Sequence, residues 1–129
     1  MRRAIFVFSL VVLGLAGCGS VGDREDAASA TALRLLGDVA AGDGAGACAL
    51  LAPDTASSVS DSDCPSAILS SDLPEPGSVL GADVYGQWAQ VRLTGDTVFL
   101  AVFPGGWRVV AAGCTVRGNK PYDCAVEGD

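Results

Sequence analysis

Trp88-Ala89-Gln90-Val91-Arg92-Leu93-Thr94, then Gly95-Asp96, then Thr97-Val98-Phe99-Leu100-Ala101-Val102-Phe103 is the stretch that decides the fold. In the first run Trp88, Gln90 and Arg92 share one parity and Ala89, Val91 and Leu93 the other. That is the two-residue period of a strand with one dry face. The second run is apolar almost throughout and rich in β-branched and aromatic residues, as a buried strand should be. The Gly-Asp link between them is short enough to dictate a hairpin. Working outward, Val79 to Tyr85 precedes across Gly86-Gln87, and Trp107 to Ala112 follows across Pro104-Gly105-Gly106. Short turns between consecutive strands predict a curved, four-stranded antiparallel meander.

Upstream of Leu73-Pro74-Glu75-Pro76-Gly77, a helix-breaking loop, the period changes from 2 to 3.6. Asp23 is the expected cap of a helix from Arg24 to about Ala41, with Glu25 and Asp26 in its first turn. Ala28, Ala32, Leu35, Leu36 and Val39 fall on one side of it. Gly42 stops it, and Asp43 caps a second short helix from Gly44 to Leu51, ended by Ala52-Pro53. Asp54 to Asp63 reads as a turn or frayed helical piece, and a third short helix runs from Cys64-Pro65 to Leu69 or Ser70. The fold class is α+β, with N-terminal helices packed on one face of the sheet. At 129 residues with no internal repeat, a single domain is expected.

Both ends of the chain depart from this pattern. Met1-Arg2-Arg3 is a short positive segment, followed by an apolar run from Ala4 to Leu15 and then by Leu15-Ala16-Gly17-Cys18. The run is too short to cross a bilayer as a helix and has the proportions of a signal-peptide core. Leu15 to Cys18 resembles the bacterial lipobox, an aliphatic and two small residues before an obligatory cysteine. The resemblance implies cleavage after Gly17 and a diacylglyceryl thioether on Cys18, so that two acyl chains hold the protein at the membrane. The expected organisation is a signal peptide over residues 1–17, the lipidated Cys18 and a tether over 18–22, and one exported domain over 23–129.

With Cys18 assigned to lipid, Cys48, Cys64, Cys114 and Cys124 remain, an even number that in an exported domain reads as two disulfides. Three pairings are possible; proximity favours Cys48–Cys64 and Cys114–Cys124. The second pair would pin back a polar C-terminal tail that has left the sheet after Gly113, with Pro121-Tyr122-Asp123-Cys124 as a lid or strap. The spacing contains no C-x-x-C and the chain no histidine, which argues against both a zinc site and a redox dithiol.

An N-terminal helix ending in Ala-Ala-Gly-Asp, a short Ala-Cys-Ala-Leu-Leu-Ala-Pro helix and a final Gly-Gly-Trp-Arg-Val-Val strand resemble the cone-shaped fold of ketosteroid isomerase and nuclear transport factor. The whole is similar to small lipoproteins of high-GC Gram-positive bacteria, the actinobacteria. The resemblance spans roughly residues 23–114. It implies helices closing over a curved sheet, with any site in the mouth of the cone.

Composition narrows the chemistry. Net charge is −7, and losing Arg2 and Arg3 with the signal leaves six basic residues against fifteen acidic ones, −9. An acidic surface without a basic stripe excludes nucleic-acid binding and electrostatic docking on anionic lipid. Without histidine the commonest general base and the Ser-His-Asp and Cys-His arrangements are missing. Gly42 to Gly46 lacks the lysine and preceding strand of a phosphate loop and reads as a helix–helix turn. Asp61-Ser62-Asp63 lacks the glycine and distal glutamate of a calcium loop and reads as a solvated turn. No motif points to a cofactor or a metal.

What remains is a small set of candidate ligand-binding residues. Asp83 and Tyr85 share a parity in the first strand, Trp88 starts the second, and Asp96 belongs to a turn. Trp107 reads as a core residue facing the same side as Val109, with Leu36 and Val39 its expected contacts on the first helix. Two functional classes follow. The favoured one is a membrane-anchored, non-catalytic module of the cell envelope, binding a partner protein or a small apolar ligand. The alternative is a cone-fold enzyme using carboxylate acid/base chemistry. A desolvated Asp83 in a pocket would favour the enzyme, and a filled interior with an exposed apolar patch the binding module.

Overall fold

Ser20 opens the first helix. The computed structural model describes residues 20–128, so the signal segment and Cys18 lie outside the described residues. Helix α1 spans Val21–Ala40. The Ser20 hydroxyl accepts from the Asp23 N–H, and the Asp23 carboxylate accepts from the Ser20 N–H, both at 3.2 Å. This reciprocal capping box starts the helix earlier than the expected Arg24, and Asp23 serves inside it rather than as its cap. Ala28, Ala32, Leu35 and Leu36 are buried along one side, as their spacing predicts.

Three short helices follow. α2 spans Gly44–Ala49, capped by the Asp43 side chain on the Gly46 N–H. α3 spans Pro53–Val59, so the Ser- and Asp-rich stretch expected to be a turn or frayed piece begins as a regular helix with proline in its first turn. α4 spans Cys64–Leu69. A disulfide joins Cys48 on α2 to Cys64 on α4.

The sheet has five strands, not four: β1 Val79–Tyr85, β2 Trp88–Leu93, β3 Thr97–Phe103, β4 Gly106–Arg117 and β5 Lys120–Glu127, in the order β1-β2-β3-β4-β5 and antiparallel throughout. The correction is at the C-terminus. The chain does not leave the sheet after Gly113. β4 continues to Arg117 and turns through Gly118, and β5 pairs back along it with Cys114 opposite Cys124. The expected strap is therefore a strand, still pinned by the Cys114–Cys124 bond. Pro121 is tolerated because β5 is an edge strand, where a missing N–H need not break a ladder.

Ala89, Val91, Leu93, Val98, Leu100 and Val109 point to α1 and are buried, while Trp88 and Arg92 on the opposite parity are exposed. The space between α1 and the sheet is occupied by Leu35, Leu36, Val91, Val98, Leu100 and Val109, each 0 % exposed. Every fully buried Leu or Val among them contributes about 1.5–3 kcal/mol. Beyond the end of β5, the chain between α2 and α3 covers β4. Val109 donates to the Leu50 carbonyl and accepts from the Ala52 N–H, both at 2.8 Å, so Leu51 pairs with it like a one-residue strand.

Asp96 does more than turn the chain between β2 and β3. It is 7 % exposed, and its carboxylate accepts from the N–H groups of Thr97 (2.7 Å), Cys114 (2.8 Å) and Gly113 (2.9 Å). It thereby ties the β2–β3 turn to Gly113 and Cys114, just beyond the last pair of β4 with β3, Ala111 with Phe99. Gly113 has φ +67°, and a Cβ there would lie 2.8 Å from that of Ala125.

The two disulfides indicate an oxidising, extracytoplasmic compartment. Among the described residues, no helix is long and apolar enough to cross a membrane.

Candidate functional site

The sheet face turned away from α1 carries the residues singled out in the sequence, and strand register assembles them. Tyr85 lies opposite Trp88, Trp88 opposite Ala101, and Gln90 between Asp83 and Phe99. Asp83 and Tyr85 do share a face, and it is this outward one. Asp83 forms an ion pair with Arg92. Gly81, opposite Arg92, makes room for it: a Cβ at residue 81 would collide with the guanidinium. The Asp83 side chain is 55 % exposed, so its charge is both hydrated and paired. So placed, it is not the desolvated carboxylate in a pocket that the enzyme alternative calls for.

Tyr122 on β5 reaches back over the same face. Gln90 Nε2 donates to its hydroxyl at 3.3 Å, and its ring meets that of Phe99 edge-on, with 5.1 Å between centroids. The expected strap thus covers the middle of the outward face. The end nearest the β1–β2 turn stays open. Tyr85 is 55 % exposed and Trp88 53 %; Val102, 38 % exposed beside the same turn, faces the helix side opposite Trp107.

Beside Trp88 a cleft of roughly 220 Å³ runs between the sheet and α3. Trp88, Phe103 and Val110 form one wall, and Pro53, Asp54 and Thr55 the other. The Thr55 hydroxyl donates to the Val110 carbonyl at 2.9 Å, so its polar atom is already engaged. The cleft is smaller than the ~300–1,000 Å³ of enclosed small-molecule sites. It fits one apolar group, such as a side chain or a short stretch of acyl chain.

A larger, more open depression of about 430 Å³ lies at the Cys114–Cys124 disulfide, with Asp72, Asp96 and Asp123 on its walls. Asp96 is held by the three backbone donors above. Among the described residues, no three His, Cys, Asp or Glu side chains are arranged to hold a metal ion.

Trp107 sits on the helix side with Val109, partly buried against the core. Its partner differs from the expected one. The Arg24 guanidinium lies over its ring at 5.4 Å and also donates to the Gly86 carbonyl at 2.6 Å. Leu36 is twelve residues further along α1, about 18 Å by helical rise, so Trp107 belongs to the opposite end of that helix.

Of the candidates, Tyr85 and Trp88 come together at the open end, and Asp83 is drawn to Arg92. Phe103, Val110 and Tyr122 were not singled out. Phe103 shares parity with Phe99 and Ala101 and was recoverable from the register. Tyr122 needed β5, whose signal is the Gly118-Asn119 turn between two alternating runs. Nothing local connects α3 with Trp88. Compared with known proteins, the chain matches no family model, no curated protein and no solved structure.

Proposed function

We propose that this protein is a lipid-anchored module of the bacterial cell envelope, held at the extracytoplasmic face of the membrane through Cys18. On this reading its domain is non-catalytic and binds an apolar group, from a partner protein or a small ligand, at the open end of the outward sheet face. The observation that carries the binding assignment is the exposed Tyr85–Trp88 pair, continuous with the cleft between Trp88 and α3. The filled interior under α1 and the ion-paired, hydrated Asp83 support binding over carboxylate catalysis. The anchor rests on Leu15 to Cys18 and agrees with the disulfides, which need an oxidising compartment.

Two measurements test the two halves. The intact mass of the membrane-fraction protein is expected to begin at Cys18 and carry diacylglyceryl, and C18A should lose processing and membrane association. C18A recovered processed and membrane-bound like wild type would refute the anchor. For binding, Trp88 emission is expected to shift to the blue on titration with a neutral alkyl maltoside below its micellar concentration, and W88F should abolish the shift. An unchanged spectrum would refute an apolar binding end.

A further inference from the structure

The anchor and the open aromatic end lie at the same end of the molecule, and this juxtaposition identifies what covers the patch. Three peptide steps separate Cys18 from Val21, the first residue of α1, a reach of at most about 11 Å. A lipidated Cys18 therefore keeps the start of α1 close to the bilayer surface. The Arg24 side chain, in the first turn of α1, bonds the Gly86 carbonyl in the β1–β2 turn. Tyr85 and Trp88 flank that turn. The Val102 N–H donates to the Gln87 carbonyl at 2.9 Å, which brings the end of β3 alongside. Val21, at the helix start, is 60 % exposed.

Exposed at one pole of the domain are thus a tyrosine, a tryptophan and two valines, next to the residue from which the anchor extends. Tyr and Trp have an apolar body and a polar handle, which suits them to the boundary between headgroups and acyl chains. We infer that this pole is a membrane-contacting face: in the anchored protein Tyr85, Trp88, Val102 and Val21 rest in the interfacial layer of the bilayer that holds Cys18, and the cleft beside Trp88 takes lipid. The inference rests on the anchored-lipoprotein reading and names the partner for the same site. Its consequence is orientation: the two acyl chains and the aromatic pole together hold the long axis of α1 upright on the membrane. The Cys114–Cys124 ribbon and the acidic depression then face away from the lipid.

Charge does not drive this contact. Asp23, Glu25 and Asp26 share the start of α1 with Arg24, so the contact should form on neutral lipid and resist salt.

The test uses the lipidated full chain in phosphatidylcholine vesicles with bromine on the upper acyl chain, against unbrominated vesicles. Bromine quenches only a tryptophan that enters the lipid. Wild-type emission is expected to fall in the brominated vesicles, equally at low and high salt, while W88F, which retains Trp107, should show no such difference. Four results would overturn the inference. One is equal emission in the two vesicle types from protein that co-floats with them. Another is quenching that persists in W88F. A third is Trp88 emission that responds to protein concentration rather than to lipid, which would assign the face to a second copy of the chain. An intact mass without diacylglyceryl would remove the anchor reading and this inference with it, whereas anchored, unquenched Trp88 would remove this inference alone.

Discussion

Replacing Asp96 by Asn tests whether one carboxylate holds the β2–β3 turn onto β4. Oδ1 accepts from Thr97 at 2.7 Å and Cys114 at 2.8 Å, and Oδ2 from Gly113 at 2.9 Å. Asparagine keeps the shape and one acceptor oxygen, which can retain the first two bonds. Its NH₂ group then faces the Gly113 N–H, donor against donor. Losing one hydrogen bond to a charged acceptor costs about 1.5–3 kcal/mol, and the depression beside Asp96 admits water that returns part of this. The expected cost of D96N is about 2 kcal/mol, or roughly 10 °C in Tm for a domain of this size. D96A leaves all three donors without their acceptor and should cost more, about 3 kcal/mol after hydration of the exposed donors. The assay is thermal and urea unfolding followed by circular dichroism, with both disulfides oxidised. A D96N melting temperature within a degree or two of wild type would refute the reasoning. So would D96A no less stable than D96N, because the ordering follows from counting acceptors.

Trp107→Ala should cost about 2–3 kcal/mol, because the ring is partly buried and stacked by Arg24, while Trp88→Ala should stay within ~1 kcal/mol because Trp88 is half exposed; unfolding curves in the reverse order would sink both assignments. Non-reducing peptide maps are expected to link Cys48 to Cys64 and Cys114 to Cys124, and replacing either pair by serine should cost about 3 kcal/mol. A peptide joining Cys48 to Cys114 would contradict the fold. Gly113→Ala must hold φ near +67° with its Cβ against Ala125, and is expected to lose about 2 kcal/mol or more; an unchanged urea midpoint would show that β4 does not need glycine there.

The local sequence by itself determined the elements whose signals are short-range. The alternation in Trp88 to Leu93 and the Gly-Asp link are complete within a dozen residues, and so was the hairpin they predict. The apolar side of α1 needed only its own spacing, and the nearest-neighbour disulfides followed from loop length. Even the helix start was legible, since Ser20 and Asp23 have the spacing of a capping box; the three residues between Ser20 and Arg24 belong to the helix because Ser20, not Asp23, is its cap. β5 was missed because Pro121 and a run of polar residues conceal a strand whose stability comes from pairing and a cross-strand disulfide, not from its own apolar content. Tertiary structure alone decided which partners met across the fold. It turned Asp83 to Arg92 through the space at Gly81, brought Tyr122 over Phe99, set Arg24 rather than Leu36 on Trp107, and stood α3 against Trp88 to make a cleft. Each of these joins residues from different elements. Propensity and periodicity describe one element at a time, so they carry no information on how a bulged and twisted sheet aims one strand's side chains at another's.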